Sequence, residues 1–311
     1  MFATLLGGLP RPPLAEDASL ETLVEAAVRA QAAAGLDPVT DGGLRAGTAP
    51  VDAWRATAAL TDRAVKQAVT GPYTAGRRGD AAPEAPAAVL DRARALNAIL
   101  ADLAAAGCPL IEVHEPAATT IGDDTAEREL FSEAHRILLD GVRETHLSLA
   151  ITGGNADRAG IATILAAPYA SLAVDLIAGP DNWRLVVATP GDRGIICGAL
   201  PAEDGSDDGP ETLLWAAGYA ASTGGRGLVR VGLGTASSLS GLPWPVAVDK
   251  MARLGEAARL ADLPASERMR HLDPRAVSSR SAALGRVEPV EPVGRREPPP
   301  SHPPDGGDEA T

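Results

Sequence analysis

A histidine and a glutamate stand side by side, His114-Glu115, at the close of an apolar branched run, Leu110-Ile111-Glu112-Val113, and Pro116 follows them directly. Proline brings no backbone N–H to a ladder, so the run reads as a buried strand that stops there. Parallel α/β folds place their chemistry at the C-terminal ends of strands. An imidazole beside a carboxylate at such a place is a candidate acid–base pair, with His114 and Glu115 as its members. A second reading stays open beside it. Glu115 bonds the backbone amides of the next loop and stiffens it, and His114 bonds a neighbouring backbone group or carboxylate.

Other strand ends carry useful groups. Asp41 and Arg45 read as a polar pair beneath a ligand carboxylate, for which arginine offers a bidentate fork, or as a surface ion pair. Gly153-Gly154-Asn155 reads as an amide cradle for an anion or simply as a tight turn. Lys66, near the start of its strand, points into the barrel mouth or, as the preferred reading, to solvent, and His135, in mid-helix, is expected to lie on the surface. Trp183, near Asp181, is expected to pack or to line the mouth.

These groups need a frame. Apolar runs at 2–6, 39–43, 64–71, 110–115, 145–152, 172–177, 194–198 and 227–233 read as strands. Helical spacing covers 19–34, 50–61, 87–106, 124–142, 210–222 and 245–261, with shorter connections elsewhere. Eight strands alternating with helical segments over about 260 residues have the size of a (β/α)8 TIM barrel. No G-x-G-x-x-G follows the first strand, which argues against a dinucleotide-binding sheet. The expected fold is therefore α/β, a (β/α)8 barrel over 1–264. Residues 265–311 form a Pro/Glu/Arg-rich tail, expected to be disordered from about 280 onward.

Composition limits the partners. The 311-residue chain is 45% hydrophobic but only 3% aromatic, so its core must be aliphatic, which suits helices packed on parallel strands. A net charge of −13 repels phosphate backbones, and no nucleic-acid partner is expected. Cys108 and Cys197 show no C-x-x-C spacing and read as buried free thiols of a reducing cytoplasm. The first residues lack a basic signal-peptide region, and no apolar run reaches spanning length. A cytoplasmic location and no membrane partner are the expectation.

Several local patterns recur in one order: Leu6-Gly7-Gly8-Leu9-Pro10-Arg11, Gly35-Leu36-Asp37 with Thr40-Asp41-Gly42-Gly43, Lys66 with Gly71-Pro72-Tyr73-Thr74, and the His114-Glu115-Pro116-Ala117 strand end. Together, over nearly all of residues 1–262, they resemble the C-terminal catalytic domain of cobalamin-independent methionine synthase. The resemblance implies a TIM barrel that moves a methyl group from a methylated folate to homocysteine, whose thiolate is held by zinc. Longer members of the family also carry a folate-binding half in the same polypeptide, and a separate folate-binding partner protein is one expectation for this chain. The zinc ligands implied by the resemblance, His-x-Cys, Glu and Cys, fall on Ala150 and Thr152, Asp175, and Leu233. The family's serine, glutamate and aspartate around the amino acid fall on Gly8, Gly43 and His114.

The expectation is a diverged, zinc-free relative with no cofactor. Its substrate-pocket candidates are Gly8, Asp41, Gly43, Arg45, Thr152, Asn155 and Asp175. Two alternatives accompany it: a non-catalytic barrel that binds a small molecule or a partner, and a metal-independent acid–base enzyme using His114 and Glu115. A replacement site for a harder metal from His114, Glu115 and Asp175 is a further reading.

Overall fold

A computed structural model of the chain describes residues 1–77, 85–206, 209–268 and 270–271. Seven parallel strands form one curled sheet: β1 Phe2–Thr4, β2 Lys66–Thr70, β3 Leu110–His114, β4 His146–Ile151, β5 Ser171–Asp175, β6 Gly194–Leu200 and β7 Val231–Thr235. Their order is β1-β7-β6-β5-β4-β3-β2, so neighbours in sequence are neighbours in space except where β1 joins β7. Between them run α1 Leu20–Ala33, α2 Pro50–Ala58, α3 Pro72–Ala75, α4 Pro86–Ala105, α5 Thr125–Leu138, α6 Ile161–Ala166, α7 Trp183–Ala188, α8 Pro210–Ser222 and α9 Trp244–Ala261. The architecture is α/β and TIM-barrel-like.

The strand expected at 39–43 is the main difference. This stretch makes only two isolated bridges, Ala3 to Asp37 antiparallel and Val39 to Val65 parallel. Pro38 cannot donate to a ladder, and Gly42 and Gly43 turn the chain at φ 70° and 72°, so no regular strand extends here. The segment still lies between β1 and β2: Asp37 N donates to Ala3 O at 2.9 Å, and Lys66 N donates to Val39 O at 2.9 Å. The expected run 227–233 also shifts, because Leu228–Arg230 is a 3-10 turn and the strand begins at Val231. The expected disordered tail falls on residues outside the described ones.

Strand alternation sorts the side chains into two cores. Outward residues such as Leu149, Leu172, Ile195 and Leu233 pack against the helices with Leu100, Leu103, Phe131, Leu213 and Leu254. Inward residues Leu6, Ala150, Ala173 and Ile196 form a separate small cluster in the lumen. Both cysteines are free and buried, and burial pushes the Cys108 thiol up to about 11 and that of Cys197 to about 12. They are inert packing residues. Among the described residues no helix is long and apolar enough to cross a membrane.

Closure of the helical ring depends on contact between α1 and α9. A Cβ on Gly255 of α9 would lie 1.7 Å from Ala34 O, at the end of α1. Gly255→Ala is therefore expected to lower the unfolding free energy by at least about 1–3 kcal/mol, read from the urea midpoint, because backbone stands where the methyl would go.

Candidate functional site

Because β3 alternates, Glu112 and His114 both point into the lumen, whereas Glu115 points away from it. Beside them on β2 stands Lys66, and the register pairs it with Leu110. Its ammonium is closed from water, with a side-chain exposure of 1%, and donates to both Glu112 oxygens at 2.8 and 2.9 Å and to Leu5 O at 2.6 Å. Lys66 therefore does not face solvent as its place in the strand implied. The small side chains around the lumen leave it room, and a buried carboxylate compensates its charge. His114 Nε2 lies 2.8 Å from Glu112 Oε1, and this imidazole keeps 19% exposure. Burial alone pushes the Glu112 carboxyl up, but the Lys66 ammonium and the His114 hydrogen bond outweigh it and hold the group down at about 2.

This relay forms one wall of a cavity of about 510 Å³ that Gly8, Asp41, Gly43, Arg45, Ala68 and Thr70 also line. Its size suits a small metabolite. Five of the residues picked from the sequence thus meet here: Gly8, Asp41, Gly43, Arg45 and His114. Asp41 and Arg45 do not form the expected side-chain pair. Asp41 accepts the backbone amides of Gly43 at 2.8 Å and Arg45 at 3.2 Å, and the Arg45 guanidinium pairs with Glu21 at 2.6 Å.

Glu115 does not line the cavity. Its oxygens accept the backbone amides of Tyr73 at 3.0 Å and Thr74 at 2.6 Å, at the start of α3. A Cβ on Gly71 would lie 2.2 Å from Glu115 Oε1, so the clamp requires glycine there. Ala117 N completes it by donating to Thr74 Oγ1 at 3.1 Å. His135, expected on the surface, is fully buried behind this clamp. Its Nε2 lies 3.2 Å from Glu115 Oε1 and its Nδ1 2.6 Å from the Tyr169 hydroxyl. Its burial was readable: His135 continues the stripe Leu130, Phe131, Ala134, Leu138.

Thr152, Asn155 and Asp175 lie at the ends of β4 and β5, away from the cavity lining. Asn155 exchanges hydrogen bonds with Asp181, its Nδ2 donating to Oδ2 and its Oδ1 accepting from N, each at 3.0 Å. Asp175 accepts the amides of Ile177 and Ala178 at 2.9 Å and Gly153 at 3.0 Å. The Gly153-Gly154 turn therefore spends an amide on Asp175, and Ala156 N donates to Asn182 Oδ1 at 2.7 Å. This loop is a braced turn. Trp183 packs edge-on against Trp215 at 5.3 Å and Tyr219 at 5.0 Å.

The positions that the resemblance gives to zinc carry other groups here. Ala150 is an apolar lumen residue, Leu233 faces the helix-side core, and three backbone amides fill Asp175. Tetrahedral zinc needs thiolate, imidazole or free carboxylate donors converging from several strands, and this set does not fit it. His114, Glu115 and Asp175 do not converge either, since Glu115 turns outward. Among the described residues no three His, Cys, Asp or Glu side chains gather in a metal-holding group.

No protein-family model matches the sequence, and no curated protein matches it. Solved structures do. The chain is similar to a B12-independent methionine synthase from Shewanella sp. W3-18-1, in complex with selenomethionine, with a TM-score of 0.69 and 14% identity, covering 87% of this chain and 99% of that one. It is also similar to a putative vitamin-B12 independent methionine synthase from Listeria monocytogenes, with a TM-score of 0.66 and 15% identity, covering 84% and 97%. At such identities the likeness shows the fold: a methionine synthase-like α/β architecture.

Lys66→Met strands the Glu112 carboxylate without its cation and is expected to cost about 3–5 kcal/mol in urea unfolding, while the double variant Lys66→Met/Glu112→Leu recovers most of it. Acid gives an independent check. The folded-state value of Glu112, about 2, lies below its ordinary 4.5, so its contribution is complete above pH 4.5 and lost as pH falls towards 2. Glu112→Gln should flatten that part of the stability–pH curve, measured by urea midpoints across it.

Proposed function

We propose that this chain is a diverged, zinc-free member of the methionine synthase-like barrels, and that its mouth cavity binds a small molecule. The reading takes 1–264 as one closed (β/α)8 domain and the protein as cytoplasmic. One observation carries it: the strand ends that would hold zinc by resemblance carry apolar side chains or, at Asp175, a carboxylate that accepts three backbone amides, while a polar cavity persists elsewhere at the mouth. Methyl transfer to a homocysteine-type thiol is the activity that the resemblance implies. A separate folate-binding partner belongs to that activity alone.

Zinc would stabilise a thiolate near neutral pH when bound. Without that donor set, binding rests on the cavity's own groups. Arg45, largely buried on the cavity wall with its Nε unpaired while its Nη2 holds Glu21, favours a ligand carrying an anionic group. A purely binding role remains the second reading, favoured by the complete internal pairing of Lys66, which leaves its ammonium no free donor for a ligand.

Elemental analysis of the purified chain and an assay of methyl transfer from a methylated folate to homocysteine test the proposal. Substoichiometric zinc and no methionine formed, with or without added zinc, are the expected results. Stoichiometric zinc together with methionine production would overturn it.

A further inference from the structure

Resting on the reading that the mouth cavity holds a small molecule, we propose that His114 acts on that molecule as a general base through Nδ1, with Glu112 and Lys66 as its positioning residues. The partner of the imidazole is thus Glu112, two residues back on the same strand face, and not the adjacent Glu115, which is spent on the Tyr73 and Thr74 amides.

The geometry sets the tautomer. Glu112 is fully buried, and one ammonium holds both of its oxygens, so it stays an acceptor. An anionic acceptor 2.8 Å from Nε2 places the imidazole proton on Nε2. Nδ1 then carries the lone pair, and it has no partner among the described residues. It belongs to the one member of the relay that retains side-chain exposure, 19%, against 1% for Lys66 and 0% for Glu112. On the neighbouring strands His114 is level with Thr70 and Ala150, which carry no charge. The other charged groups on the cavity are Asp41 and Arg45. Asp41 is committed to backbone amides, so the free base on this wall is the imidazole.

The step balances as a single proton transfer. A proton on carbon, sulfur or oxygen of the bound molecule passes to Nδ1, and the bonding pair stays behind as the conjugate base. The resulting imidazolium keeps its Nε2–H on the Glu112 carboxylate. That carboxyl, at about 2, does not take the proton itself. The substrate class is a small weak acid whose pKa lies within a few units of imidazole's ordinary value of about 6.5.

The test uses the full chain. Nitrogen-15 NMR of the histidine side chains reads the tautomer, and 5-nitrobenzisoxazole serves as the probe of base strength. Removal of its ring C–H proton breaks the N–O bond and releases a coloured nitrile phenolate, with no other reactant needed. A neutral His114 protonated on Nε2 is expected, with that preference lost in Glu112→Gln. Turnover should exceed that of equimolar imidazole by about a hundredfold. It should vanish in His114→Gln, which leaves the Lys66–Glu112 pair in place. In Glu112→Gln it should fall. A neutral His114 protonated on Nδ1, turnover no faster than imidazole's, or turnover unchanged by His114→Gln would each overturn the proposal. None of these readouts needs a methyl donor or depends on zinc content, so failure of the zinc-free reading and failure of this one are separable.

Discussion

An ammonium and a carboxylate, both shut away from water, meet inside the curled sheet, and much of the molecule is arranged around the cost of keeping them there. Desolvation takes several kcal/mol from each ion, and mutual attraction offsets this only when the remaining donors and acceptors are satisfied. Lys66 satisfies its donors with Leu5 O and both Glu112 oxygens, and Glu112 receives His114 as well. The arrangement fixes the register of β2 on β3. A slip of one residue would turn the lysine towards the helices and leave the glutamate alone. It also ties the chain leaving β1 to β2, where the regular ladder is interrupted.

The lumen is divided by this demand. On one side Leu6, Ala150, Ala173 and Ile196 pack together as an apolar cluster. On the other, the ion pair lies below the cavity and presents a single imidazole to it. Behind β3 a second polar group, Glu115 with the Tyr73 and Thr74 amides and His135, holds the ends of β2 and β3 together. Two adjacent ionisable residues thus serve opposite sides of one strand: His114 serves the cavity and Glu115 the scaffold.

Most of the frame was readable from sequence. The long helices begin and end within a few residues of where apolar spacing puts them, as at Leu20–Ala33, Pro86–Ala105 and Trp244–Ala261. The strand at 39–43 was misread because Pro38 stands directly before its apolar start and two left-handed glycines end it, which local hydrophobicity does not register. Part of the candidate site was also legible, since strand-end position selects Asp41, Arg45 and His114, and the family resemblance selects Gly8 and Gly43. Lys66 was read chiefly as facing solvent, and Glu112 was missed although it interrupts an apolar strand two residues before His114, the period that puts both on one face. What sequence could not supply was the register that brings Lys66 across from them. That register is a long-range property of two strands more than forty residues apart.

The departures from the resemblance reach into the main chain. A Cβ at Gly8 would lie 2.9 Å from Gly42 O, and Gly43 sits at φ 72°, where a longer side chain is strained. Restoring a serine at the first position or a glutamate at the second would therefore require the 7–8 and 42–43 turns to move apart. Those turns are fastened together, since Leu9 N donates to Gly42 O at 2.8 Å and Leu239 N to Gly8 O at 2.9 Å. The motifs that match most closely, Gly71-Pro72-Tyr73-Thr74 and Glu115-Pro116-Ala117, turn out to be the two halves of one scaffold clamp. Of the positions that depart from the resemblance, Gly8, Gly43 and His114 line the cavity, so its chemistry has to be argued from the ion pair and the imidazole that stand there.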